Sequence, residues 1–130
     1  MIDRLSWGLA AVGVASIGTV LLTTSVTASA ATLLPPPAYA RCAACHTTGA
    51  GGSHRLGPNL FGILGTKAGT KPGFAYSPAL KRSSMTWTKA SLADYVDRPA
   101  AVVPGTRMMD PGVSKPADRE AIIAFIASLK

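Results

Sequence analysis

Two scarcities frame this 130-residue chain: it has only two cysteines, and charge is missing from a long stretch near its start. Two cysteines three positions apart cannot supply a disulfide framework. Between residues 5 and 40 the sole ionisable group is Tyr39, and Asp3 and Arg4 are the only charges before it. Acidic residues are also few, 6 against 13 Lys+Arg, for a formal charge of +7. No internal repeat and no strand-rich stretch is visible, and the length allows one domain. What is abundant lies after residue 30: all ten prolines and ten of the thirteen glycines. About one residue in five there breaks helices and strands, so regular structure must be short and loops long. These features exclude a large enzyme, a disulfide scaffold and a coiled coil. A loop-rich chain of roughly 100 residues buries little core unaided and needs another staple, which points to a cofactor.

Residues 5–22 form an unbroken, weakly apolar run diluted by Gly8, Gly13, Gly18, Ser6, Ser16 and Thr19. Small and polar residues follow, and Ala28-Ser29-Ala30 offers an A-x-A-like cleavage site. Ala38-Tyr39-Ala40 is a second such tripeptide, lying close to the cysteines. Residues 1–30 are therefore read as a secretory signal, or as a retained membrane anchor, since the run is long enough to span a bilayer. Either outcome exports the rest of the chain. Residues 31–38, with Pro35-Pro36-Pro37, read as a stiff linker, and residues 39–130 as the folded domain.

Within that domain a short helix is expected from Pro37 through Cys45. Residues 47–78 hold eight glycines and three prolines without sustained periodicity and read as loop. Thr88 is a plausible N-cap for a helix over 89–98, with Leu92, Tyr95 and Val96 on one face and Pro99 imposing a stop. Residues 100–113 read as loop again. A last helix starts near Pro116, with Asp118 and Glu120 early in it and an apolar stripe of Ile122, Phe125, Ile126 and Leu129. The expected class is all-α, a few short helices in much loop.

Cys42-Ala43-Ala44-Cys45-His46 carries the strongest chemical signal. On a helix, positions i and i+3 share a face, so both thiols can reach one flat ligand, and His46 can turn its imidazole toward the centre. This is the spacing of covalent c-type haem attachment, with two thioethers on the porphyrin edge and histidine on iron. A thioredoxin-like redox pair would want a βαβ context that is absent. A zinc site using Cys42, Cys45 and His54 would lack a fourth ligand at usual spacing.

With these residues in hand, the chain resembles the small monohaem cytochromes c of mitochondrial and bacterial type, from about Tyr39 to Lys130. The resemblance implies the small cytochrome c fold, long loops wrapped around one haem c, and a monomeric electron carrier rather than an enzyme. It assigns to Pro58, in Gly57-Pro58-Asn59-Leu60, the carbonyl that accepts the His46 imidazole N–H. It places Tyr76, in Pro72-Gly73-Phe74-Ala75-Tyr76, and Trp87 at the haem propionates, Tyr95 beside the second axial ligand, and Met108 of Pro104-Gly105-Thr106-Arg107-Met108 as that ligand. Met85 and Met109 are the rival methionines, and packing in the core is the second reading of Tyr76, Trp87 and Tyr95. His54 suits a structural hydrogen bond better than a metal. Several positions depart from the family. Three prolines stand where a glycine-bearing first helix is usual, Thr66 where an arginine is, Leu80 where many members have asparagine, and Asp110 where an aromatic is common beside the exposed haem edge.

By the same resemblance Arg41, Arg55, Arg107 and Lys115 ring that edge, while Ala100 and Ala101 replace two lysines. A positive ring steers acidic redox partners: a quinol-oxidising cytochrome complex or a dehydrogenase as donor, a terminal oxidase as acceptor, in a respiratory or photosynthetic chain. Export implies the periplasm, with the carrier free or tethered to the inner membrane. No basic stripe with interleaved aromatics suggests nucleic acid. A five-coordinate haem enzyme or sensor is the alternative from another class.

Overall fold

A computed structural model describes residues 33–130. The expected signal or anchor therefore lies outside the described residues. No helix among the described residues is long and apolar enough to cross a membrane.

The prolines dictate how the described chain begins. Pro36 is extended and Pro37 opens a single 3-10 turn, Pro37–Tyr39, which runs into one turn of helix, α1, at Ala40–Ala43. The segment expected as one helix over 37–45 is thus half 3-10, and it ends short of Cys45. It still makes the packing that matters. The Tyr39 ring sits edge-on to Phe125, centroids 4.7 Å apart at 67°, so an abbreviated start retains the contact between the first and last helices.

The last helix, α5, spans Pro116–Ser128, with Pro116 at its first turn and Asp118 favouring the positive end of its dipole. Ile122, Ile123, Phe125 and Ile126 are buried along it, and Leu129 follows just past its end. It packs against α3, Lys89–Asp97, whose Leu92, Tyr95 and Val96 face inward. Thr88 caps α3 as its sequence predicts. Its hydroxyl accepts from the Ser91 amide at 3.0 Å, and the Ser91 hydroxyl accepts from the Thr88 amide at 2.9 Å.

Two elements differ from the sequence reading. Pro99 does end α3, but it also opens a further short helix, α4, at Pro99–Val102, inside the stretch read as loop. A proline lacks only the amide that a first helical turn leaves unpaired, so the residue that stops one helix can start the next. The helix α2, Pro78–Arg82, is the second, capped by Ser77, whose hydroxyl accepts from the Leu80 amide. Residues 47–77 are loop, as the glycines require. The loop is pinned to the 84–88 segment by backbone bonds around the isolated bridge between Lys67 and Thr86. The core is the cluster of Tyr39, Leu60, Ile63, Tyr76, Leu80, Trp87, Tyr95 and the α5 side chains.

Candidate functional site

The site starts from the two cysteines. Cys42 lies within α1 and Cys45 just beyond it; both are free thiols, partly buried. Amides of Cys45 and His46 both donate to the Cys42 carbonyl, at 3.0 and 2.9 Å, which winds the turn tightly and brings His46 beneath it. Burial pushes the Cys42 thiol above its ordinary value, and the Asp110 carboxylate adds to that.

His46 is fixed from two sides. Its Nδ1 donates to the Pro58 carbonyl at 2.7 Å, and its ring lies against Gly57, where a Cβ would come within 2.3–2.7 Å of three ring atoms. Burial holds the imidazole below its usual pKa, although the Pro58 carbonyl pulls the other way. A neutral ring whose Nδ1 carries the proton leaves Nε2 with its lone pair available. A bond of this kind to the far nitrogen also raises the basicity of a metal-binding imidazole.

Asn59 and His54 stiffen the loop that supplies Pro58. Asn59 Nδ2 donates to the Thr47 hydroxyl at 2.8 Å and the Gly49 carbonyl at 2.9 Å. His54 Nε2 donates to the Pro72 carbonyl at 2.9 Å and its Nδ1 accepts from the Asn59 amide at 3.0 Å. Both ring nitrogens are thereby used in structural hydrogen bonds. Among the described residues no group of three or more His, Cys, Asp or Glu side chains could hold a metal ion, so the zinc alternative has no geometry.

The second cluster forms around residues 106–113. The Tyr95 hydroxyl and Thr106 Oγ1 share a close hydrogen bond, and the Met108 amide donates to the same Thr106 oxygen at 3.2 Å. Burial raises the Tyr95 phenol pKa, partly offset by that bond. Met108 is half-buried and packs on the core, whereas Met109 is 91% exposed. Met85 also packs on the core, so burial separates Met108 from Met109 but not from Met85.

Trp87 and Tyr95 meet edge-on at 5.1 Å, and Tyr76 meets Phe74 at 4.8 Å. Tyr76 and Trp87 are thus core aromatics by packing. Burial raises the Tyr76 phenol, and the Lys71 backbone beside its hydroxyl offsets part of this. The Tyr39 hydroxyl is buried with no hydrogen-bond partner among the described residues, and burial pushes its pKa well up. At two departures the replacement is accommodated: Leu80 is buried in the core, and the Thr66 hydroxyl caps back onto the Ile63 carbonyl at 2.7 Å.

Three contributions are not legible in the sequence, although each of the residues is named in it. Gly57 makes room for the His46 ring, Thr106 joins Tyr95 to the Met108 amide, and Arg41 pairs with Asp110. Gly-Pro beside a buried histidine was a usable signal for the first. The other two depend on contacts between distant segments.

These residues fit a c-type haem. Two unpaired thiols sit one helical turn apart, a neutral imidazole offers one free nitrogen, and a half-buried thioether supplies a soft donor. Comparison with known proteins agrees. A family model described as Cytochrome c matches residues 38–130. Cytochrome c of Cannabis sativa is 44% identical over 86 residues, covering 66% of this chain and 78% of its own. Cytochrome c2 of Rhodoblastus acidophilus is 44% identical over 92 residues, 71% of this chain and 86% of its own. In fold, the chain is similar to cytochrome cH from Methylobacterium extorquens, with a TM-score of 0.66 and 41% identity over 70% of this chain and 91% of that one. The chain belongs to the cytochrome c family: it is a haem electron carrier with one covalently attached haem c, and Cys42 and Cys45 fit the attachment motif.

Proposed function

We propose that this member of the cytochrome c family is a periplasmic single-electron shuttle whose iron is held by His46 and Met108, with Cys42 and Cys45 as the thioether anchors. The observation that carries the reading is the fixing of His46: Nδ1 is spent on Pro58 and the ring is wedged at Gly57, so Nε2 is the one nitrogen left for a metal. Haem supplies the one-electron couple. The protein's part would be to hold the His46 and Met108 donors in a dry setting and to change little between oxidation states. A thioether is a soft, uncharged ligand that favours Fe(II), so the Met108 sulfur would raise the potential. Tyr95 and Thr106 would position that sulfur through the Met108 backbone. Tyr76 and Trp87 would line the haem's propionate side. With His46 and Met108 both given to iron, no position would remain there for a substrate, and the protein would act as a carrier and not as an enzyme.

Partners would be acidic redox proteins, a quinol-oxidising complex or dehydrogenase as donor and a terminal oxidase as acceptor, docking on the basic face with Arg55, Arg107 and Lys115. Monomers suffice for this role. The apolar run at residues 5–22 favours one second reading, a carrier tethered to the inner membrane as a subunit of an oxidase or reductase complex.

Exposing the reduced holoprotein to carbon monoxide tests the ligation. A six-coordinate carrier leaves its spectrum unchanged, and the Met108→Ala variant takes up the gas. Uptake by the unaltered protein would favour a five-coordinate haem enzyme or sensor.

A further inference from the structure

The segment carrying Met108 is tied down on both sides of that residue. On one side Thr106 bonds to Tyr95. On the other the Val113 amide donates to the Val96 carbonyl at 2.9 Å, and Arg119 Nη1 donates to the Val113 carbonyl at 2.7 Å and to Asp97 Oδ1 at 3.0 Å. All of these partners lie in α3 and α5, in the same half of the molecule. A single further tie reaches the cysteine segment. Arg41 of α1 donates through Nε to Asp110 Oδ2 at 3.1 Å and through Nη2 to Asp110 Oδ1 at 3.0 Å. Among the described hydrogen bonds and ion pairs, no other joins residues 37–60 to residues 103–115.

This contact is built rather than incidental. The guanidinium and carboxylate meet with two parallel bonds, the geometry that gives such pairs both strength and direction. The Gly112 amide donates to Asp110 Oδ1 at 2.7 Å, so the carboxylate is oriented by its own loop before Arg41 engages it. The side chains are 41% and 25% exposed, which keeps the pair sensitive to salt. Between them in the chain stand the cysteine motif on one side and Met108, two residues before Asp110, on the other.

We propose that Arg41 and Asp110 form an ionic latch that holds the Met108 loop closed against the cysteine helix, so that its strength sets how often the thioether leaves iron. The inference rests on the reading of Met108 as the axial ligand. Arg41 and Asp110 are positioning residues: neither is asked to touch iron. An external ligand can bind only when the loop is open, and its apparent affinity scales with the open fraction. Weakening the latch must therefore tighten external binding without altering the intrinsic chemistry of the ligand.

The experiment is a titration of the oxidised full-length holoprotein with imidazole at one fixed pH. Arg41→Gln and Asp110→Asn are each expected to bind imidazole about 3- to 10-fold more tightly than the unaltered chain at low salt. The double variant should bind no more tightly than either single one, because one contact is lost in all three. Asp110→Glu should recover part of the difference. In roughly 1 M salt, where the screening length is about 3 Å, the unaltered protein should move toward the variants while the variants stay in place. Asp118→Asn removes the exposed partner of Lys115, 3.4 Å away, and should change nothing. Variants with unchanged affinity, or two single effects that add in full, would overturn the latch. The salt series on the unaltered protein needs no variant to fold, and a flat series would overturn it equally. Met108→Ala separates the two claims: if it binds imidazole no more tightly than the parent, the ligand reading itself fails.

Discussion

The two sides of the site are held by different means. On the His46 side, every tie spans a short stretch of chain: Nδ1 reaches Pro58 twelve residues on, Asn59 reaches back to Thr47 and Gly49, and His54 reaches Pro72. On the Met108 side, the loop leans on α3, α5 and α1, and its one ion pair with the cysteine helix crosses 69 residues of sequence. A locally closed network can form as its segment folds. A loop held by distant helices gains its ties only when the whole domain is assembled. A stiff imidazole and a more readily displaced thioether are therefore expected.

The strongest way to break this contrast is Gly57→Ala. The added Cβ would overlap three His46 ring atoms, and neither the ring nor the Pro58 carbonyl has slack to give. We expect a loss of about 3 kcal/mol or more in chemical denaturation of the holoprotein, with a disturbed spectrum. A variant of parental stability would show that the proximal side is not tightly packed.

Gly112→Ala probes the other side. The backbone φ there is +106°, and a Cβ would lie 1.8 Å from the Asp97 carbonyl oxygen. A destabilisation of about 3 kcal/mol or more is expected here too, accompanied by easier displacement of Met108 by added imidazole. If Gly112→Ala disturbed the histidine side as much as the methionine side, the two would not be independently held.

A smaller, local effect is predicted at the α3 cap. Thr88→Ala removes the side-chain acceptor for the Ser91 amide and should cost about 1 kcal/mol in thermal or denaturant unfolding. The smallest effect is expected from Tyr39→Phe. Its hydroxyl is buried without a partner among the described residues, so removing it should be neutral or stabilising by up to about 1 kcal/mol, provided the contact with Phe125 is kept.

The same contrast explains which parts of the molecule could be read from sequence. The cysteine motif, the Thr88 cap and the α5 stripe are written in residues three or four apart, the distance over which a helix repeats. Helix α4 escaped because Pro99 was taken only as a stop, although the same ring also suits a first turn. Helix α2 has five residues and no periodicity to detect, and only Ser77 and Pro78 mark it. At the site, the resemblance sets both Arg41 and Asp110 near the haem edge, but nothing local in the sequence pairs them. That the two would meet is a product of tertiary packing, which brings α1 beside the Met108 loop and has no counterpart in local sequence.

The measurement that bears most directly on the account is the far-red absorption of the oxidised holoprotein, compared across three proteins: the unaltered chain, Met108→Ala and Met109→Ala. The charge-transfer band of an iron–methionine bond is predicted in the unaltered chain and in Met109→Ala, and is predicted to vanish in Met108→Ala. A band that survives in Met108→Ala, or that is absent from the unaltered chain, would contradict the assignment of Met108 and the carrier mechanism built on it.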